Sequence, residues 1–230
     1  MKKLTIIILL ALAPFALATA DQTTCDQCKA KAGANSGLQF IGNYRNESFA
    51  GRKDLQNAVF DGDFSGADFS GADLTGASIR GAAVKAKFIK ANMRRFTFHN
   101  VNAAGSKFKW ANLSGAIMDG NFSHADLRAA NMDAVNGKNS NFNYAALDYA
   151  SMNKFYGASS SFYKARFFRT DVINSVFYNV NMAFSDVTRA VFVDNDLRKT
   201  NQYQIKWNRA QLVRGNDVTG VFYYAGKPPQ

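Results

Sequence analysis

The sequence predicts an all-β solenoid, a rod of stacked coils built from one short unit used many times. Two observations predict it. A large apolar residue recurs at every fifth position from about residue 55 to residue 212, and features of this unit recur at every twentieth position. Neither the 3.6-residue period of a helix nor the two-residue period of an ordinary strand gives such spacing. A turn in each unit and four units in each coil explain both periods.

Each five-residue unit has a large apolar residue at its centre and a small residue two positions earlier. The segments A-D-F-S-G (67–71), A-D-L-T-G (72–76) and A-N-L-S-G (111–115) show the pattern plainly. Three steps are four residues long, and we place them from Phe60 to Phe64, from Val84 to Phe88 and from Met118 to Phe122. Two inward residues in every five predict a narrow core.

The twenty-residue period appears in the phenylalanines at 122, 142 and 162. Where the central residue shrinks to Gly157, the earlier inward position enlarges to Phe155, and Val135 stands beside Gly137 in the same way. A close-packed core needs such exchanges of volume. We therefore predict that these glycines face inward.

The repeated unit, written A-(D/N)-L-x-x, resembles the pentapeptide-repeat family over about 160 residues. The resemblance implies a right-handed, four-sided β-helix of about eight coils, which at about 4.8 Å per coil gives a rod of about 38 Å. Solenoids need atypical ends that cover the last coil. We assign residues 21–53 to an N-terminal segment and cap, 54–212 to the solenoid and 213–230 to a C-terminal cap.

Residues 1–20 are typical of a secretory signal peptide. Two lysines precede an apolar run from Leu4 to Leu17, and Ala-Thr-Ala at 18–20 supplies the small residues of a cleavage site. Pro14 interrupts the run, which is also shorter than the ~20 residues of a membrane span. We expect a protein in the bacterial periplasm or secreted, without a transmembrane segment after cleavage. It would retain 26 basic and 17 acidic residues, a net charge of +9.

Cys25 and Cys28 stand together in T-C-D-Q-C-K, shortly after the expected cleavage point. In an oxidising compartment two cysteines favour a disulfide. A redox pair would open a helix in a βαβ unit, a zinc site would need a second pair of ligands, and haem attachment normally needs histidine where Lys29 stands. We interpret the pair as a local structural disulfide or as inert, with a redox or metal role as the alternative.

The sequence contains no constellation that indicates catalysis. Its two histidines, His99 and His124, take outward positions, and the neighbours Ser123, His124 and Asp126 do not by adjacency make a triad. It has no glycine-rich nucleotide loop, P-loop or HExxH motif. We interpret the aspartates that precede many central residues as turn formers, because Asp bonds nearby backbone. We predict no enzyme, no cofactor and no metal.

Assigning the units to four faces gathers positive charge on one of them, which we call the basic face. It centres on the apolar residues spaced by about twenty from Phe88 to Trp207, and only Asp126, Asp148 and Asp186 oppose its cations. The candidate partner-binding residues are Lys87, Lys90, Lys107, Lys109, Trp110, Arg128, Tyr149, Arg166, Phe168, Arg169, Arg189, Lys206 and Arg209. The adjoining face adds outward Tyr144, Tyr163, Lys164, Phe184 and Tyr203.

Cations interleaved with aromatic side chains are expected on a surface that binds a polyanion or an anionic glycan. The alternative is that the basic side chains keep the rod soluble and cover apolar grooves. Charge also differs along the chain: residues 54–73 contain five aspartates and no basic residue, whereas residues 74–118 contain eight basic residues and no acidic one. This asymmetry favours a directional contact with another macromolecule.

These observations predict a non-catalytic, exported scaffold that binds an anionic macromolecule, which is a protein, a glycan or a nucleic acid. The best-known members of the family resemble duplex DNA in size and negative charge and shield type II topoisomerases from inhibitors. DNA mimicry, or an interaction with nucleic acid or topoisomerase, is the alternative if the protein is not exported, although its positive charge opposes mimicry. The aromatic segment 221–224 would serve a homodimer contact through the C-terminal cap or close the core.

Overall fold

The computed structural model describes residues 31–32 and 37–221, and this part of the chain is all-β. The predicted signal peptide (1–20), Cys25, Cys28 and residues 222–230 lie outside the described residues. The predictions made for them therefore stay predictions. The strands are β1 (Lys31–Ala32), β2 (Leu38–Asn43), β3 (Val59–Asp63), β4 (Ser78–Ala82), β5 (Thr97–Asn102), β6 (Ile117–Asn121), β7 (Ser151–Asn153), β8 (Asp171–Ile173), β9 (Val191–Val193) and β10 (Gln211–Leu212).

The strands form two sheets in which neighbours are about one coil apart in the chain. Strands β1 to β6 form a six-stranded sheet in chain order, and β7 to β10 form a four-stranded sheet in chain order. Only β1 pairs antiparallel, with β2. The other pairs are parallel, and Phe60 lies opposite both Phe40 in the coil before and Ile79 in the coil after. Like residues therefore stack on like residues along the rod.

Single parallel bridges extend this pairing to the other sides of each coil. One ladder runs through Lys87, Lys107 and Asp126, a second through Asn121 and Asn141, and a third through residues 92, 112 and 131. Together with the strands, these ladders give each coil four sides, as the sequence predicted. The solenoid makes about nine turns. At about 4.8 Å per coil, they form a rod of about 43 Å.

The coils extend beyond the limits that the sequence predicted. Strand β2 lies in the segment assigned to the N-terminal cap, yet it pairs in parallel with β3 over its last five residues. At the other end, Asp217 bridges to Asp196. About nine turns therefore replace the predicted eight. The five-residue pattern is weak in this segment, where Tyr44 and Phe49 only hint at it, because the position two before Phe49 holds Glu47 and most other units hold a small residue there.

Each corner is a four-residue turn with a left-handed third residue. In residues 127–130 the N–H of Ala130 donates to the carbonyl of Leu127 at 3.1 Å, and Ala129 has a φ of 55°. This is the conformation of a type II turn, which glycine adopts at the lowest cost. Gly71 and Gly115 take this place in earlier coils. The same place elsewhere carries large exposed side chains, so the corners are the natural display positions of the rod.

The core is a narrow column in which central residues stack from coil to coil. On the side beneath the basic face, the ring centroids of Phe49, Phe69, Phe88 and Phe108 lie 4.7–5.0 Å apart, with planes within 6° of parallel. Burial of a phenylalanine side chain contributes about 1.5–3 kcal/mol. This column therefore supplies much of the stability and holds the outer surface in a fixed geometry.

Phenylalanine fills the space that central glycines leave, as predicted for residue 157. A Cβ atom at Gly157 would lie 2.5 Å from Cε1 of Phe155, and a Cβ atom at Gly137 would lie 2.9 Å from Cζ of the same ring. One buried ring thus occupies volume at two levels of the column. For Gly137 the sequence named only Val135 as the compensating side chain, which was incomplete, because Phe155 from the next coil also fills the space beside Gly137.

One short step lies at a different place from the predicted one. Ala83 is fully buried and Val84 is only half-buried, so the four-residue step runs from Ile79 to Ala83 and not from Val84 to Phe88. Alanine occurs at both inward positions of the repeat, so only its larger side chain favoured Val84 over Ala83 as the central residue. In the following coil Phe96 is buried at a position that other units give to a small residue.

Candidate macromolecule-binding face

The structure brings the predicted residues of the basic face together on one side of the rod. Lys87, Lys107, Arg166 and Lys206 belong to one ladder of parallel bridges. The remaining members occupy the turns that follow the central residues of the same side, and Trp110 has the left-handed φ of 59°. Because successive coils are about 4.8 Å apart, the face is a rigid array with a fixed spacing.

All three acidic residues of this face are engaged by its cations. Asp126 accepts hydrogen bonds from Nε and Nη2 of Arg128 at 2.7 and 2.6 Å. Asp148 accepts two from Arg166, at 2.6 and 2.5 Å, and Lys206 lies 3.5 Å from Asp186. The Asp148 side chain is only 5% exposed. Arg166 therefore neutralises a nearly buried carboxylate, which is a structural task.

Some of these contacts shift the pKa values of the groups that make them. Hydrogen bonds to Asp126 and Asp148 raise the pKa values of the Arg128 and Arg166 guanidinium groups. Burial acts to raise the pKa of Asp126, but hydrogen bonds from the side chain and backbone of Arg128 outweigh it, and the pKa lies below its usual value. Asp126, Arg128 and Arg166 are consequently charged at neutral pH.

An open groove of about 520 Å³ lies among these ion pairs. Its walls alternate positive, negative and aromatic side chains, so this stretch is closer to zwitterionic than to basic. The lining residues are Arg128, Asp148, Tyr149, Arg166, Phe168, Asp186, Thr188, Lys206 and Asn208.

Several cations of the face have no carboxylate within 4 Å among residues 31–32 and 37–221. Two of them flank Trp110, with Lys109 Nζ 3.9 Å and Lys90 Nζ 5.3 Å from the centroid of its ring. The guanidinium of Arg169 lies 5.5 Å from the ring of Phe168. A cation–π contact at an exposed site contributes about 0.5–1 kcal/mol and orients the cation. The unpaired cations are Lys90, Lys107, Lys109, Arg169, Arg189 and Arg209.

Two neighbouring coils of this face carry Trp110 and four lysines, and two of these lysines contact the ring. We call Lys87, Lys90, Lys107 and Lys109 the lysine cluster. Lys87 lies 3.3 Å from Asp68. The Trp110 side chain is 49% exposed. Like charges held about one coil apart repel each other, so an anion bound here would gain more than at the paired groove. Sequence reasoning found the face but missed this division, because it depends on which side chains reach one another between coils.

Comparison with known families settles the type of repeat. A family model described as pentapeptide repeats matches residues 52–83, 84–120 and 121–155, with eight copies. The chain belongs to the pentapeptide-repeat family. Its coils continue in the structure beyond the matched residues, to the bridge between Asp196 and Asp217.

No curated protein sequence matches this pentapeptide-repeat protein. Its fold is similar to HetL of the cyanobacterium Nostoc sp. strain PCC 7120, a pentapeptide-repeat protein involved in regulation of heterocyst differentiation. The TM-score is 0.74 at 17% identity, over 80% of this chain and 85% of that chain. A trypsin-treated variant of QnrB1, a plasmid-mediated fluoroquinolone resistance protein, gives 0.52 at 18% identity, over 81% and 91%. These likenesses concern the fold, and the predicted right-handed quadrilateral β-helix is confirmed.

The residues that invited a catalytic interpretation have other partners in this pentapeptide-repeat protein. The His124 ring stacks on Tyr144 with centroids 4.7 Å apart, and Asp126 is held by Arg128. His99 is exposed. The described residues contain no group of three or more His, Cys, Asp or Glu side chains suited to a metal, and they contain no helix that could cross a membrane.

The aspartates that precede central residues form turns, as predicted. Asp63 accepts the backbone N–H of Ser65 at 2.9 Å, and Asp68 and Asp73 accept those of the residues two positions later. Each carboxylate therefore satisfies a backbone donor at a corner. Their regular spacing is a property of the pentapeptide coil and not a ladder of metal ligands.

Proposed function

We propose that this protein is an exported, non-catalytic scaffold that binds an anionic macromolecule through the basic face, chiefly at the lysine cluster. Export to the periplasm or the medium rests on the signal-peptide pattern of residues 1–20. The proposed binding of an anionic macromolecule rests on one observation. Two neighbouring coils carry four lysines beside Trp110, two of them in contact with its ring, and in the described part of the chain only Asp68 lies within ion-pair distance of any of the four.

The cluster has the physical properties that an anion-binding surface needs. The stacked rings of Phe69, Phe88 and Phe108 fix the backbone beneath it, so little order has to be imposed when a partner binds. The lysines attract an anion over a distance of about 8 Å at physiological salt. The exposed indole adds apolar contact area.

The charge of this face disfavours the alternative of DNA mimicry, which requires a negative surface. The likeness to QnrB1 at 18% identity supports a shared fold and carries no partner with it. A redox or metal role of Cys25 and Cys28 concerns residues outside the described part of the chain and remains a separate prediction. A homodimer contact through residues 221–224 also remains a prediction.

Heparin affinity tests the binding surface. The test protein carries Lys90→Glu, Lys107→Glu and Lys109→Glu. The control carries Arg80→Glu, Arg94→Glu and Arg95→Glu, the same charge change at other exposed positions. Three exposed ion pairs of about 0.5 kcal/mol each predict roughly tenfold weaker binding for the first triple only.

Equal loss in both triples would show that net charge alone retains the protein, and no loss in either would refute the role of the lysine cluster. Export has its own measurement. The full chain should yield a product in the periplasm or medium that lacks residues 1–20 by mass spectrometry. An uncleaved cytoplasmic product would refute export and leave the heparin result unaffected.

A further inference from the structure

A continuous row of aromatic rings follows the corner next to the basic face through five successive coils. It consists of His124, Tyr144, Tyr163, Phe184 and Tyr203, and we call it the aromatic corner. Successive ring centroids lie 4.7, 5.8, 5.5 and 5.2 Å apart. Tyr144 and Phe184 are 45% and 39% exposed. Apolar surface of this extent, arranged in one line, is unusual on a soluble rod and suggests a binding track.

From Tyr144 onward, the place that the ring takes in its turn repeats every second coil. Tyr144 and Phe184 both take the third place of their turns, with a φ of 60° each. Tyr163 and Tyr203 both take the second place. Adjacent rings from Tyr144 onward are inclined by 74–81°. The repeat of two coils corresponds to about 9.6 Å along the rod.

One cation lies in the middle of this track. The Nζ atom of Lys164 lies 5.6, 5.2 and 5.8 Å from the ring centroids of Tyr144, Tyr163 and Phe184. No carboxylate lies within 4 Å of it among the described residues. It is the only Lys or Arg at the turn positions of this corner in the five coils. The track therefore suits a ligand with sparse negative charge.

These features disfavour nucleic acid. A base inserted between two rings needs about 6.8 Å, twice the 3.4 Å step of stacked bases, and the rings of this corner are already closer than that. A strand would also bring one phosphate per nucleotide to a row that offers one lysine. A linear ligand must instead lie along the outside of the rings.

We propose that the aromatic corner binds an extended polysaccharide that carries a carboxylate on alternate sugars. The C–H faces of sugar rings pack on aromatic rings, and in an extended β-linked chain the same face returns at every second sugar. That repeat matches the two-coil repeat of the corner. In the proposed complex, Lys164 contacts a carboxylate of the chain. The site is distinct from the basic face and does not depend on the lysine cluster.

Binding of hyaluronate, which has one carboxylate in each disaccharide, tests the proposal at physiological salt. The double variant Tyr163→Ala, Phe184→Ala should bind at least tenfold more weakly than the parent. Alanine already occupies these two turn places at Ala183 and Ala129, so the fold accepts both changes. The matched control is Tyr156→Ala, Tyr178→Ala, which removes two partly exposed rings from the side of the rod centred on Gly157 and Phe177 and should bind as the parent does.

Two further variants separate the contributions of Lys164 and of the lysine cluster from that of the aromatic rings. Lys164→Gln should weaken hyaluronate binding several-fold and leave binding of neutral hydroxyethyl cellulose unchanged. The triple change to Glu at Lys90, Lys107 and Lys109 should reduce heparin binding but retain hyaluronate binding. The heparin assay therefore tests the lysine cluster, and the hyaluronate assay tests the aromatic corner separately. Hyaluronate binding that survives loss of the rings overturns the proposal. The proposal is also overturned if hyaluronate does not bind and the rings are instead required for a concentration-dependent dimer or for retention of a single-stranded oligonucleotide.

Discussion

Replacing Gly157 by alanine should destabilise the solenoid by about 1–3 kcal/mol, the usual cost of an extra group in a filled core. The new Cβ atom would lie 2.5 Å from Cε1 of Phe155. That ring cannot retreat, because it is fully buried against Phe142, Phe162 and Phe177 at centroid distances of 5.6–6.3 Å. Gly157 is not one of the glycines with a positive φ, so the cost arises from packing and not from the backbone.

A double-mutant cycle measured by urea denaturation isolates this contact. Phe155→Leu opens space next to Gly157, so in combination with Gly157→Ala it should cost about 0.5–3 kcal/mol less than the sum of the two single changes. Gly71→Ala is the control. No atom lies within 4 Å of its added Cβ, so its cost of about 1–2 kcal/mol comes from the left-handed backbone and should not depend on Phe155. Strict additivity at Gly157, or parental stability of Gly157→Ala, would refute the packing argument.

Two further predictions concern the ion pairs of the basic face. Arg166→Gln should lower the free energy of unfolding by roughly 1–3 kcal/mol, because it strips a buried carboxylate of charged donors, and Asp148→Asn in the same chain should restore part of it. Unchanged stability of Arg166→Gln in urea would contradict a structural role. The folded-state pKa values of Asp126 and Asp186 are lowered, so their contribution is present above the unfolded value of about 3.9 and is lost as pH falls through the folded values. Asp126→Asn should therefore flatten the acid limb of melting temperature against pH, and an unaltered limb would count against it.

Periodicity predicted the fold because the interior of a coil leaves few choices. Only two of five residues point inward, so the pattern of large and small residues identifies them, and the substitution of bulk between Gly157 and Phe155 could be found from the sequence. Periodicity was misleading where side-chain size did not distinguish inward from outward residues. At Ala83 and Val84 both residues fit a narrow core, and Glu47 occupies a place that other coils give to a small residue.

The position of the basic face could be predicted from the sequence, but which of its cations are paired with carboxylates could not. Its members follow from the corner at which each side chain leaves the coil, which the repeat determines. Whether a cation is paired depends on the reach and rotamer of side chains in successive coils, and sequence spacing does not encode these. Arg166 therefore looked like a partner-binding residue, whereas in the structure it neutralises Asp148.

The corners give an independent argument that the two displayed surfaces have a function. A left-handed residue costs about 1–2 kcal/mol unless it is glycine, and Asn tolerates it better than bulky residues. Corners away from the basic face and the aromatic corner hold small, polar or flexible side chains at this place, such as Asn139, Asn174 and Lys199. Within the described part of the chain, the left-handed aromatic or imidazole residues all lie at the two displayed corners: Trp110, His124, Tyr144, Tyr149 and Phe184. The cation–π contacts of these rings contribute about 0.5–1 kcal/mol each at exposed sites and offset only part of this cost. Their conformational cost is therefore best explained by what the side chains contact outside the rod.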